Sequence, residues 1–263
     1  MTDYKRFLPP LLLLVWFALP TNAGQGAGTA DSARQSSAAD SCALLATAKI
    51  EWPDATTHIK QAAWHADGSQ VALPMAPPVT LPAHCELTGD MQGRMGVDGQ
   101  HYSIRFHLRL PLRWNGKFLF EGGGGTEGDL GSAVGATVPG VPPAIAQGFA
   151  VVSQDSGHDN ATNSVPNRGG NVAFGFDPEA RANYGGASLR LVAETAKAII
   201  HSYYGRLPER SYFVGCSKGG QEAWRSRSAF RTNSMALLPA HRDSRCPAPP
   251  WRRRGIPRPS VAW

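Results

Sequence analysis

The chain has 263 residues, 42% of them hydrophobic and 17% charged, with a formal net charge of +6. Its apolar content is that of an ordinary globular protein. The positive charge argues against a nucleic-acid or membrane-surface partner rather than for one, because nine arginines fall after Trp224 against the single acid Asp243, and the residues before them sum to a slightly negative charge.

Taken in chain order, Lys5 and Arg6 precede the apolar run Leu11 to Leu19 and a small-x-small ending at Ala23. This is the pattern of a signal peptide over residues 1–23, and the run is shorter than the roughly 20 apolar residues of a stable span. An exported protein is expected, secreted or periplasmic, soluble and off the membrane once the peptide is cleaved. Residues 24–41 are rich in Gly, Ala and Ser without apolar period and read as a flexible linker. Residues 42–224 read as a partial catalytic domain.

Segment His101 to Leu110 alternates, with Tyr102, Ile104, Phe106, Leu108 and Leu110 on one face, which predicts a half-buried strand. Pro111 and the Trp114-Asn115-Gly116 turn end it. Gly116 to Phe120 then reads as a short central strand running into the glycines 122–125. Gly148 to Ser153 is a continuous apolar run, the mark of a strand buried on both faces. Over Ala182 to Tyr204 the apolar positions Leu189, Val192, Ala193, Ala196, Ile199 and Ile200 recur at helical spacing. Ser211 to Gly215 is another buried strand, and a second helix begins near Gly219. This order predicts an α/β fold with a mostly parallel sheet and right-handed crossovers.

Residues 225–263 break the pattern. They are Arg, Pro, Ser, Ala and Trp without helical or alternating period, with six prolines. This segment reads as an aberrant, disordered tail, and a shifted reading frame accounts for it: synonymous codons for Phe230 to Pro239, read after skipping two bases, give a string of ordinary globular composition.

Gly215-Cys216-Ser217-Lys218-Gly219 matches G-x-S-x-G between a buried strand and a helix start. In that setting Ser217 is the expected nucleophile, with its hydroxyl exposed on a turn too tight for side chains at the flanking glycines. An acyl-transfer site also needs donors aimed at the developing oxyanion. The backbone N–H of Lys218 is one expected donor, and the second is expected from Gly123 or Gly124 in the earlier glycine cluster. Asp155 and His158 precede the serine, whereas hydrolase triads of this order run Ser, acid, His. They are read as loop-forming or substrate-side residues. Of the four cysteines, Cys42 and Cys85 are expected to pair in an exported protein. Cys216 has no evident partner, since Cys246 lies in the aberrant tail. No Cys or His pair has metal-ligand spacing, so neither metal nor cofactor is expected.

Three runs, Asn115 to Gly125, Gly148 to His158 and Tyr212 to Glu222, resemble the tannase and feruloyl esterase family, with the Cys216-Ser217 pair as the most specific mark. The resemblance covers about residues 42–223 and implies a secreted α/β-hydrolase-type esterase, its lid domain missing, whose substrates are small phenolic-acid esters. It also implies that Cys216 bonds a cysteine directly before a catalytic histidine. That histidine, the catalytic acid and a lid that often holds calcium lie downstream in the family. The expectation is therefore little or no turnover by this chain, with a non-enzymatic fragment or a basic-tailed binding protein as the alternative.

Overall fold

In the computed structural model, residues 25–73, 76–136, 141–229 and 235–237 are described. The expected signal peptide lies outside them, as does most of the expected tail. In chain order the elements are α1 (Gln25–Leu44), β1 (His58–His65), β2 (Ser69–Leu73), β3 (Ala76–Leu81), β4 (His84–Met95), β5 (His101–Pro111), β6 (Lys117–Glu121), β7 (Ala150–Gln154), α2 (Asn160–Asn163), α3 (Pro178–Ala182), α4 (Ser188–Tyr204), β8 (Arg210–Val214), α5 (Lys218–Ala229) and β9 (Met235–Leu237).

A seven-stranded sheet has the order β1-β4-β5-β7-β6-β8-β9. Pairing is antiparallel from β1 to β7 and parallel from β7 to β9, so the sheet is mixed where a mostly parallel one was expected. The antiparallel half comes from β1 and β4, which no apolar run announced. β4 alternates buried Cys85, Leu87 and Met91 with Glu86, Asp90 and Arg94, and the charged positions mask the pattern.

Side chains alternate across the central strands. Phe118 and Phe120 of β6 pack with Phe213, Leu108 and Val152 against the apolar stripe of α4, where Leu189, Val192, Ala193, Ala196, Ile199 and Ile200 are all buried. Leu119 and Val151 face the other way, onto Ala133, Val134 and Ile145. The five alternating residues of β5 are buried as expected, but the strand is not half-exposed. His107 and Arg109 on its polar face are also covered, because the loop carrying Gly131 and Ser132 lies over them: His107 Nδ1 is 2.7 Å from Gly131 O, and Arg109 Nε donates to Ser132 O at 3.0 Å. The helix expected over 182–204 is broken near its start, where Gly186 takes φ 115° inside a wide turn at Asn183–Ala187 that precedes α4.

Two expected irregular segments are regular in part. Residues 25–44, which include most of the expected linker, form α1. Its alanines favour a helix even without an apolar stripe, and it is tied down by the Cys42–Cys85 disulfide and by Tyr203 Oη donating to Ala38 O at 3.2 Å. Residues 225–229 continue α5, and Met235–Leu237 pair in parallel with Ser211–Phe213 of β8, so the ordered fold reaches past Trp224. Among the described residues no helix is long and apolar enough to cross a membrane.

Candidate active site

The turn from β8 into α5 places Ser217 at φ 55°, in the left-handed region, with its side chain exposed. A non-glycine residue held there stores roughly 1–3 kcal/mol, which persists only where packing dictates it. The dictating contact is backbone on backbone. A Cβ on Gly215 would lie 2.5 Å from the carbonyl carbon of Gly219, and one on Gly219 would lie 2.8 Å from Gly123 O and 2.9 Å from the carbonyl carbon of Gly122. The absent side chains let three backbone segments meet: the β8 exit, the start of α5 and the glycine loop after β6.

Hydrogen bonds fix the same arrangement. Gly122 N donates to Val214 O at 2.8 Å, and Gly219 N donates to Gly123 O at 3.0 Å. Lys218 is the first residue of α5, so its N–H is one of the helix's unsatisfied donors and points out of the helix's N-terminal end beside Ser217. The two glycines expected as the second donor differ. Gly123 N is directed at Glu222 Oε2, 3.4 Å away, and is thus turned toward the interior. Gly124 has open space around its Cβ position.

The Lys218 side chain folds back, with Nζ donating to Tyr184 O at 2.5 Å and lying 3.9 Å from the centre of the Tyr184 ring. Burial lowers its pKa, and Glu222 and Glu127 partly offset that. Asp155 and His158 are not bonded to each other. Asp155 is fully buried and accepts from Arg105 N at 3.0 Å, Arg105 Nε at 2.5 Å and Gly157 N at 2.9 Å. Burial pushes its carboxyl up to about 6 in spite of Arg105. His158 is stacked on Phe174, with ring centres 3.8 Å apart, and burial lowers it to about 4, so its ring is neutral. Asp155→Ala leaves the Arg105 guanidinium paired with Asp159 at 2.6 Å but removes the buried acceptor of Arg105 N, Arg105 Nε and Gly157 N, and is expected to cost about 3 kcal/mol in urea unfolding, while the conservative Asp155→Asn costs less.

Cys216 is disulfide-bonded, where the sequence alone showed no evident partner for it. Among the described residues no histidine or carboxylate is hydrogen-bonded to Ser217. Among the described residues one group has metal-ligand spacing: ligand atoms of His65, His84 and Glu86 lie within 4.8 Å of one another. Two imidazoles and one carboxylate do not suit calcium, which takes oxygen ligands. Arg109 also already contacts His84 Nε2 at 2.7 Å and Glu86 Oε1 at 2.8 Å, so a cation there would face a guanidinium.

Sequence reasoning missed Glu127, Ser156 and Glu222, which meet in the interior beneath Gly123. The one available signal was an acid set among glycines and another in the first turns of the elbow helix.

A parallel β-strand, a strained serine and a helix start facing a glycine loop form the strand–turn–helix geometry that the G-x-S-x-G motif takes in α/β-hydrolase folds. Residues 85–231 match the model of the tannase and feruloyl esterase family, and the chain belongs to that family. It is 41% identical over 188 residues to the mono(2-hydroxyethyl) terephthalate hydrolase of Piscinibacter sakaiensis, a match covering 71% of this chain and 30% of the relative. The fold is similar to feruloyl esterase B from Aspergillus oryzae, with a TM-score of 0.60 and 22% identity over 77% of this chain and 37% of that one. It is also similar to the tannin acyl hydrolase of Aspergillus niger, with a TM-score of 0.54 and 21% identity over 78% and 38% of the two chains. The chain thus spans about a third of the length of the relatives it matches.

Proposed function

We propose that this chain carries the nucleophile half of an exported carboxylic ester hydrolase acting on esters of aromatic, phenolic-type acids. Ser217 Oγ bonds to the ester carbonyl carbon while the backbone N–H groups of Lys218 and Gly124 receive the oxyanion; the ester C–O bond then breaks, and the proton lost by Ser217 ends on the alcohol that departs, leaving an acyl-enzyme. The turned-in amide of Gly123 favours Gly124 for the second donor. The observation that carries this reading is the side-chain-free packing of Gly215 and Gly219 on the glycine loop, which holds Ser217 exposed beside a helix N-terminus. The names of the relatives, feruloyl, tannin acyl and terephthalate, share an aromatic acyl group, which supports the substrate class.

Activated acyl transfer tests the reading without requiring turnover. The full chain is incubated with a nitrophenyl ester of a hydroxylated aromatic acid and followed by mass spectrometry. One acyl group is expected per chain, mapped to Ser217 and absent from Ser217→Ala. Acylation spread over lysines and equal in both proteins would overturn it.

A further inference from the structure

We propose that Glu127 and Glu222 share a single proton through the hydroxyl of Ser156, and that the pair positions the glycine loop against the elbow helix. This rests on the reading of that loop as the oxyanion side of an ester-hydrolysing site.

The argument is one of hydrogen-bond accounting. Glu127, Ser156 and Glu222 are at most 4% exposed. The Ser156 Oγ is 2.7 Å from Glu127 Oε2 and 3.2 Å from Glu222 Oε1. A hydroxyl has one proton to donate, so it cannot satisfy two carboxylates, and one of the two must be an acid donating to it. Two ionised carboxylates at this separation in the interior would also repel strongly.

The surroundings decide which group is the acid. Glu222 has further donors, Gly123 N at 3.4 Å on Oε2 and Gln154 Nε2 at 3.3 Å on Oε1, and is fitted to be the anion. Glu127 Oε1 is buried without a partner, a heavy penalty for a carboxylate and a lighter one for a neutral acid. The chain of bonds therefore runs from Glu127 O–H to Ser156 Oγ, and from Ser156 O–H to Glu222. Consistently, burial and the neighbouring Glu222 push Glu127 up to about 8. The other charged or titratable groups facing the pair are Lys218 on α5, Asp155 after β7 and Tyr184 before α4.

Position links the pair to the loop. A Cβ on Gly123 would lie 2.4 Å from Glu127 Oε1, so the carboxyl lies flat on the loop backbone, while Glu222 holds the Gly123 N–H from below. Glu127 and Ser156 both sit in the left-handed region, at φ 60° and 62°, so the fold holds the bridge at a cost in strain. Loss of the proton places two charges under Gly123 and loosens it from Gly219. The sign of the linkage follows: the unfolded chain releases this proton near 4.5 and the folded one near 8, so between those values stability falls as pH rises.

The test is infrared difference spectroscopy of the full chain with isotope-labelled glutamate, titrated from about pH 6 to about pH 10. At neutral pH a buried carboxylic-acid band that is lost on titration near pH 8 is expected, distinguished by substitution from any band of Glu121, whose carboxyl burial also raises. Glu127→Gln removes it. Glu222→Gln, which takes away the neighbouring charge, moves its midpoint down by at least about one pH unit. In parallel, hydrogen-exchange protection of residues 122–124 falls at least about tenfold as the band disappears, and is flat with pH in Glu127→Gln. Absence of that acid band in the folded parent, its survival in Glu127→Gln, or loop protection insensitive to its loss overturns the proposal. Ser217→Ala leaves band and midpoint unchanged, so a failure to acylate Ser217 and a failure of the proton-sharing pair are read separately.

Discussion

Replacing Cys42 and Cys85 together by alanine is expected to lower the unfolding free energy by about 4 kcal/mol. The bridge spans 43 residues, and a crosslink of that length removes roughly this much loop entropy from the unfolded chain. Both cysteines are fully buried, so the native side contributes too, through packing of the bridge with Leu45, Leu87 and Leu110. The effect should be directional as well as large. α1 has no apolar stripe, and besides the disulfide its ties to the rest of the fold include Tyr203 to Ala38 and the exposed pair Arg113 and Asp31. Hydrogen exchange should therefore rise first over Gln25–Leu44 while β6 and β8, which lie four and five strands from that edge, keep their protection. A loss below about 1 kcal/mol in urea unfolding, with α1 still protected, would show that the helix docks by itself.

The same helix marks where the sequence was hard to read. A segment of Ala, Ser and Gly carries no periodic signal, and its helicity follows from intrinsic propensity together with a covalent tether whose partner lies far along the chain. The central strands were legible for the opposite reason. Phe118 to Phe120, Ala150 to Val152 and Phe213 are buried on both faces of the sheet, and burial of that kind writes itself as an apolar run. β1 and β4 alternate apolar residues with Lys60, Glu86, Asp90 and Arg94, several of which pair with one another across strands or with β5, so these two strands of the antiparallel half went unseen while β5 was legible. Within the candidate site, the turn at Ser217 and the helix start at Lys218 were legible because the elbow motif is local. Glu127, Ser156 and Glu222 come from three segments remote in sequence, and their meeting depends on how the loop after β6 folds back over α5. The turned-in amide of Gly123 follows from that meeting, and no local pattern could have separated it from Gly124.

Gly215→Ala is expected to slow acylation of Ser217 at least about 100-fold, because displacement of a reacting group by about 1 Å costs that much. The φ of Gly215 is not in the left-handed region, so alanine meets no intrinsic backbone strain there. The obstacle is space. The new methyl would lie 2.5 Å from the carbonyl carbon of Gly219, 2.6 Å from its Cα and 2.7 Å from its oxygen. All three are backbone atoms of the first turn of α5, so no side chain can swing away, and the helix start must retreat from β8. That movement carries Ser217 and the Lys218 N–H with it and pulls Gly219 off Gly123 O, its 3.0 Å partner. Gly220→Ala is the control. Its Cβ would come no nearer than 3.6 Å to Gly215 O, an ordinary contact, and the position lies inside α5. Alanine there should raise stability by up to about 1 kcal/mol through helix propensity and leave the acylation rate unchanged. The pair of variants separates two meanings of a glycine in the elbow. If Gly215→Ala acylated as fast as the parent, the tight turn would not be what exposes Ser217, and the site would have to be built on another feature of the β8 to α5 junction.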